Sequence, residues 1–406
     1  MLRMFSPMKK LILFNVLFNS FRMLIGATSA IYLLNHGLSL IDLAFMKTMQ
    51  SVIFFMLDIP SSYLADKISR KYMLVLSVIF GGLWLIITGI AESKAIFYLA
   101  EVFNSFSLSI FGGVYFSYLI DNTQDNEKEE IHKILGKSNK YQYLFMAFSA
   151  LLGSYLSSYN DRLVWILAGS GCLLIVMTLT WSLPKPVVKK RLEKSSILGD
   201  LKKIYDIIND NSSSLHLIFI ALAANMVYFQ IILQYWQPFV SDSLKFYSPN
   251  DTFYGFLFLF ILLAQSISGW ISSNVKSNAK LYFYSMMLLW LSNIICLVGL
   301  LQYNLLIPVS LVIMFGANQT LTMSLRAHYH SLISSELRST FDSLLSSLSK
   351  LVILVLMPGV VLLTQRYGWL CLTSVLVGLT VLASISSLLM KLGKRNSSIV
   401  IPEEGL

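Results

Sequence analysis

The 406-residue chain is 56% hydrophobic and 13% charged, more apolar surface than a water-soluble domain of this size can bury. Its formal net charge of +10 would suit nucleic acid, but the basic residues are dispersed among the gaps between apolar stretches, which argues against that partner. The three cysteines, Cys172, Cys296 and Cys371, lie within apolar stretches and have no metal-ligand spacing; neither a metal site nor a disulfide is expected.

Apolar runs of about 20 residues recur along the chain, each long enough for a hydrocarbon layer of roughly 30 Å. Inside lipid the backbone must satisfy its own hydrogen bonds, so the runs read as helices. They lack the two-residue alternation of a membrane β-barrel. Twelve spans are expected over 11–34, 40–64, 72–91, 95–119, 141–158, 163–183, 215–239, 252–273, 280–301, 304–326, 340–363 and 368–390. The first has no small-residue cleavage site and reads as an uncleaved span. It carries Asn15, Asn19 and Arg22 at helical steps, and the second carries Lys47. Between the second and third lies Asp58-Ile-Pro-Ser-Ser-Tyr-Leu-Ala-Asp66-Lys67-Ile-Ser-Arg70-Lys71, read as a short, basic, turn-forming loop. The fourth span holds Glu101 and Asn104 and closes at Ile120-Asp121; Ile131-His-Lys-Ile-Leu-Gly136-Lys137 precedes the fifth.

Residues 184–214 form the longest polar interruption, with an amphipathic surface helix expected over 197–208. The domain reading is a six-helix half over 1–183, a cytoplasmic linker over 184–214, a second six-helix half over 215–391 and a tail over 392–406. The seventh span carries Asn225, Tyr228, Gln234 and Trp236 and ends Tyr235-Trp-Gln-Pro238; the tenth carries Asn318, Gln319 and Thr320; the eleventh opens at Glu336-Leu-Arg338-Ser-Thr340-Phe-Asp342-Ser343 and carries Lys350. With the N-terminus inside, 24 of the 31 Lys and Arg residues lie at cytoplasmic ends and loops, 4 outside (Lys94, Arg162, Lys245, Arg366) and 3 within spans (Arg22, Lys47, Lys350). The positive-inside rule then puts both termini in the cytoplasm.

The 58–71 segment resembles the loop between helices 2 and 3 of the major facilitator superfamily, G-x-x-x-D-R-x-G-R-[RK]. Asp66, Arg70 and Lys71 stand at its charged positions, while Ser62 and Ser69 replace glycines and Lys67 replaces arginine. The start of span 11, the end of span 4 and the end of span 7 also resemble family patterns, so the resemblance covers essentially the whole chain. It implies an all-α fold of twelve transmembrane helices in two six-helix halves, working by alternating access. It gives Asp66 a gating role as a latch on the start of helix 11 near Ser339 and Thr340, with Arg70 and Lys71 holding lipid headgroups or acidic loop residues. Family members line a central cavity with spans 1, 4, 7 and 10, which would bring Arg22 and Glu101 together. One reading is a salt bridge or substrate-gated pair with Glu101 as proton carrier; the other is an ion pair that only locks helices. Asn19, Asn104, Asn225, Tyr228, Trp236 and Asn318 would complete a substrate site. Three cations within spans against one deep carboxylate suit an anionic ligand, which Arg22 can bind bidentately.

Two family features are missing: the span-4 arginine of many drug exporters, near whose place Glu101 stands, and the glycine- and proline-rich span-5 motif of many antiporters, of which only Gly153 is present. No H-E-x-x-H, P-loop or G-x-S-x-G occurs, so neither catalysis nor a cofactor is expected and an ion or solute gradient must drive transport. The first expectation is proton-coupled efflux of a small organic solute, because short relatives with this loop are often exporters. The alternative is proton-coupled uptake of an anionic metabolite or carboxylate siderophore; from another class, a non-transporting receptor or assembly factor. The expected setting is the inner membrane, as a monomer, with a small-molecule substrate, protons and lipids as partners.

Overall fold

The computed structural model describes residues 7–67, 69–121, 128–180, 183, 215–274, 279–332 and 338–397. Among them are thirteen α-helices and no strand, the outcome required when long apolar runs cannot hand backbone polar groups to water. In chain order they are α1 Pro7–Met23, α2 Ser29–Asn35, α3 Leu40–Lys67, α4 Arg70–Ile90, α5 Lys94–Asp121, α6 Lys128–Ser157, α7 Asp161–Leu179, α8 Leu215–Ser243, α9 Asp251–Asn274, α10 Ala279–Leu301, α11 Leu306–Leu332, α12 Arg338–Tyr367 and α13 Trp369–Ser397. Ten are long and apolar enough to cross a membrane unaided. The α1–α2 pair, and α6 with its charged first turns, complete twelve crossings.

Local chemistry sets several helix ends. Ser39 and Asp42 form a reciprocal cap at the start of α3: the Asp42 carboxylate accepts from the Ser39 N–H at 2.7 Å, and the Ser39 hydroxyl accepts from the Asp42 N–H at 3.2 Å. Asn160 caps α7 by accepting from the Leu163 N–H, and Asn250 caps α9 by accepting from that of Phe253. Gly37 and Gly368, with φ of +89° and +77°, make the left-handed turns after α2 and α12.

Two apolar cores form. One, with Phe14, Phe18, Leu74, Leu85, Tyr115 and Trp165, lies within α1–α7; the other is built mainly from α8–α13 around Ile231, Trp236, Phe315, Leu321 and Met357. The halves meet where α3 runs along α12, where α6 runs along α9, and where α2 touches α8. The α6–α9 contact is close because position 255 has no side chain: a Cβ on Gly255 would overlap the Ser154 hydroxyl.

Three expectations are corrected. The 58–71 segment is not, over most of its length, the short turn-forming loop expected: α3 continues to Lys67 and α4 begins at Arg70. Lipid spanning needs fewer residues than this helix contains, and the apolar pattern alone did not reveal its last turns. The helix of the fifth span starts at Lys128, well before 141, because a helix that has left the bilayer can continue with polar residues. The first span is not continuous over 11–34. It breaks over residues 24–28, where the N–H groups of Leu24, Gly26 and Thr28 bond carbonyls three residues back at 3.2, 3.0 and 3.2 Å. The linker over 184–214 with its surface helix lies outside the described residues, apart from the neighbouring Leu183.

Candidate functional site

Glu101, Asn104 and Ser107 follow one another at three-residue steps on α5, so they share a face. All three are buried, and that face looks at the last turn of α1 and the first half of α3. The Arg22 guanidinium donates to the Ser107 hydroxyl at 3.1 Å and to Asn104 Oδ1 at 2.7 Å. Asn104 Nδ2 donates to Glu101 Oε1 at 3.0 Å. An arginine can only donate and a carboxylate can only accept, so the amide of Asn104 has one orientation that serves both neighbours. Lys47 Nζ lies 3.6 Å from the same Glu101 oxygen and donates to Gln50 Oε1 at 2.9 Å. The guanidinium also lies over Trp84 at 4.8 Å and Phe18 at 5.4 Å, where ring faces favour a cation.

The expected direct pairing of Arg22 with Glu101 is therefore corrected. Arg22 reaches the carboxylate through Asn104, and Lys47 is the cation placed against it. The reason is register: α3 sets Lys47 beside Glu101, while α1 sets Arg22 beside Asn104 and Ser107, further along α5. The charges sum to two cations and one carboxylate. Arg22, Lys47, Trp84, Glu101 and Asn104 line a cavity of about 190 Å³, with Trp165 and Thr88 from the first half and Leu233, Gln234 and Gln237 from α8. That is smaller than the usual drug-sized pocket, which suits a small solute.

Other expected site residues lie elsewhere. Asn19 donates to the Asn15 side-chain oxygen at 2.8 Å; Asn15 donates to Ser138 and Gln142, and Tyr115 bonds Ser138, giving a second polar cluster between α1, α5 and α6. Asn225 and Asn318 join α8 to α11: Asn318 Nδ2 donates to Asn225 Oδ1 at 2.7 Å, and Asn225 Nδ2 to Thr322 at 2.6 Å. Their side-chain amides are bonded to each other rather than to the Arg22 cavity. Tyr228 donates to Asn293 on α10, which in turn donates to Thr380 on α13, so it belongs to the second core. Trp236 stacks on Phe258 with ring centres 5.2 Å apart. Of the gating residues, the Asp66 side chain and the expected contact at Ser339 and Thr340 lie outside the described residues. Arg70 is half-buried at the start of α4, and Lys71 donates to the Leu183 carbonyl at 3.4 Å.

Sequence reasoning left out Ser107, Trp84 and the partnership of Lys47 with Glu101. It also left out Gln237, which is 3% exposed and bridges the halves. Gln237 Oε1 accepts from the Ala30 N–H at 2.6 Å, and its Nε2 donates to the Gly26 carbonyl at 2.8 Å. The three-residue spacing on α5 was visible in the sequence; the reach of Gln237 into the first span was not. Among the described residues no group of three or more His, Cys, Asp or Glu is placed to hold a metal ion.

Comparison with known proteins agrees with this architecture. The model of the Major Facilitator Superfamily matches residues 11–341. A search of curated proteins finds no match. Among solved structures, a mutant of the nucleoside transporter NupG superposes with a TM-score of 0.74 at 13% identity, covering 96% of this chain and 100% of that one. A bacterial homologue of the human lysosomal transporter Spinster, inward-facing and occupied, superposes with a TM-score of 0.69 at 16% identity, covering 96% of both chains. At such identities the likeness speaks for the fold, and the family match covers most of the chain. The twelve crossings, the two halves and the family match together identify the chain as a multi-pass membrane protein that belongs to the Major Facilitator Superfamily, a family of transporters.

Proposed function

We propose that the chain is a secondary transporter of a small organic anion, coupled to protons at Glu101 and running as a symporter. The observation that carries this reading is the charge count in the cavity: Arg22 and Lys47 against Glu101. An incoming anion competes with the Glu101 carboxylate for the same two cations. Protonating Glu101 removes the competitor, so proton and anion strengthen each other's binding, and by linkage the effect is reciprocal. Cooperative binding of both species is what symport needs. Efflux by exchange, the first expectation from the sequence, needs proton and solute to compete, which a cationic solute on Glu101 would do. The charge count therefore favours the uptake alternative. Arg22 is the anchor for the anion, its guanidinium held by Asn104, Ser107 and the Trp84 ring. The protein works in the inner membrane with both termini inside, the sense favoured by the basic residues.

Trp84 and Trp165 line the cavity, so binding is measurable by their fluorescence. Purified protein is titrated with monocarboxylates, and with tetraalkylammonium ions as the cationic control, at about pH 5.5 and about pH 7.5, where a monocarboxylate stays mostly ionised. Carboxylates should quench, binding about tenfold tighter at the lower pH, and Glu101→Gln should flatten that dependence. Binding of the ammonium ions instead, tightening as pH rises, would replace symport of an anion with exchange of a cation.

A further inference from the structure

We infer that the Gln237 amide is a removable rung in the hydrogen-bond ladder of the first span, and that it is the positioning residue holding α2 against α8. The Gly26 carbonyl and the Ala30 N–H are four residues apart, so in an uninterrupted helix they would bond each other. Each instead bonds Gln237: the Ala30 N–H donates to Oε1 at 2.6 Å, with the Ile31 N–H at 3.4 Å from the same oxygen, and Nε2 donates to the Gly26 carbonyl at 2.8 Å. A primary amide offers the acceptor and donor that a backbone step offers. Inserted between Gly26 and Ala30, it replaces one ladder bond by two bonds to the opposite half.

This exchange leaves the Gly26 carbonyl and the Ala30 N–H partnered in either state, the condition for any backbone change at membrane depth. With Gln237 in place, the first span is broken and tied to α8. With Gln237 withdrawn, the Gly26 carbonyl can meet the Ala30 N–H directly, and α1 and α2 can fuse into one helix. The broken form is also built into the packing. A Cβ on Gly153 of α6 would overlap the Leu24 carbonyl, so that glycine is a seat for the break. The clasp stands between two spaces. Ala30, Leu33 and Gln237 line the cavity that holds Arg22, whereas Leu34, Pro238 and Ser241 line a groove of about 510 Å³ beyond it. Rewinding α2 would thus separate the halves at this end and join the two spaces. Such an element has two discrete arrangements, the form that switching proteins use.

The test is a spin-label distance between Asn35→Cys and Phe246→Cys, both at exposed positions flanking the α2–α8 contact, in a Cys371→Ser background in lipid nanodiscs. Gln237→Met keeps the volume and removes both bonds. It should move the ratio of long to short distances about tenfold toward long. Adding Ser29→Pro should return the short distance: proline is tolerated in the first turn of α2, but inside a fused helix it would meet the Ile25 carbonyl. Ser29→Pro alone should leave the short distance unchanged. An unchanged distribution in Gln237→Met, a long distance that persists in the double variant, or an opening caused by Ser29→Pro alone would each overturn the inference. The last arm can overturn the inference even where Gln237→Met fails to fold.

Discussion

At Asn104 one side-chain amide stands between opposite charges, and each of its ends has a single permissible neighbour. This makes the stability of the cluster depend on which charges are removed together. Arg22→Gln with Glu101→Gln removes the two groups that bracket Asn104, but leaves Lys47 without the carboxylate 3.6 Å away. Lys47→Met with Glu101→Gln removes an actual contact pair and leaves Arg22 its bonds to Asn104 and Ser107 and its place over Trp84. The first double variant should lose about 1–3 kcal/mol, a reduced figure because the Lys47 side chain is 22% exposed. The second should stay within about 1 kcal/mol of the parent. Thermal unfolding of the purified protein, followed by fluorescence, ranks the two; the reverse order would show that Arg22, not Lys47, is the partner of Glu101. Much of the cluster was legible in the sequence. An arginine and a glutamate in two long apolar runs are costly there and had to face protein or water, and the steps from Glu101 to Asn104 to Ser107 put three polar groups on one face. That Lys47 takes the carboxylate was not legible, because the register of α3 against α5 is set by packing along their whole lengths.

Among the helices, the first span shows why element ends were harder to read than element existence. Gly26 is the sole glycine from the start of α1 to the end of α2, and nothing else in Leu24-Ile-Gly-Ala-Thr28 forbids a helix. The break is a tertiary product of Gln237 on one side and Gly153 on the other. The extra turns of α3 and α6 were missed for another reason: hydrophobicity marks the part of a helix in lipid, not where its hydrogen bonds stop. The packing role of Gly153 gives a sharp contrast with Gly378. At Gly153 a Cβ meets the backbone of Leu24, which has no rotamer by which to yield, whereas at Gly378 nothing lies within 4 Å. Gly153→Ala should therefore cost about 1–3 kcal/mol and lower the folded yield. Gly378→Ala, in the middle of α13, should be neutral or stabilising by up to about 1 kcal/mol through helix propensity alone. Melting temperatures of the two variants check this; equal behaviour would mean that α6 does not hold the break.

Over the whole molecule, composition and the spacing of apolar runs were enough to read an all-α membrane protein of twelve crossings, because lipid leaves the backbone so few solutions. The pairing across the halves was beyond such reasoning. Nothing in α3 and α12, or in α6 and α9, marks them by sequence as partners, since lipid-facing and protein-facing surfaces are both apolar; small residues such as Gly255 against Ser154 are the nearest thing to a signal. The sense of insertion rests on charge alone, with 24 basic residues assigned to one side and 4 to the other. That sense makes the α2–α8 end the outer one and the ends of α3 and α6 nearest Lys67 and Lys128 cytoplasmic. Two exposed positions test it from opposite sides. Phe246 lies in the short turn between α8 and α9, and Lys140 lies in α6 towards its basic end. In intact cells a membrane-impermeant maleimide should modify Phe246→Cys and spare Lys140→Cys, each in a Cys371→Ser background, and permeabilised cells should show both modified. Each outcome has a bearing beyond topology. Were Lys140→Cys modified from outside and Phe246→Cys spared, the clasp at Gln237 would face the cytoplasm, and the same rewinding of the first span would open the cavity inward.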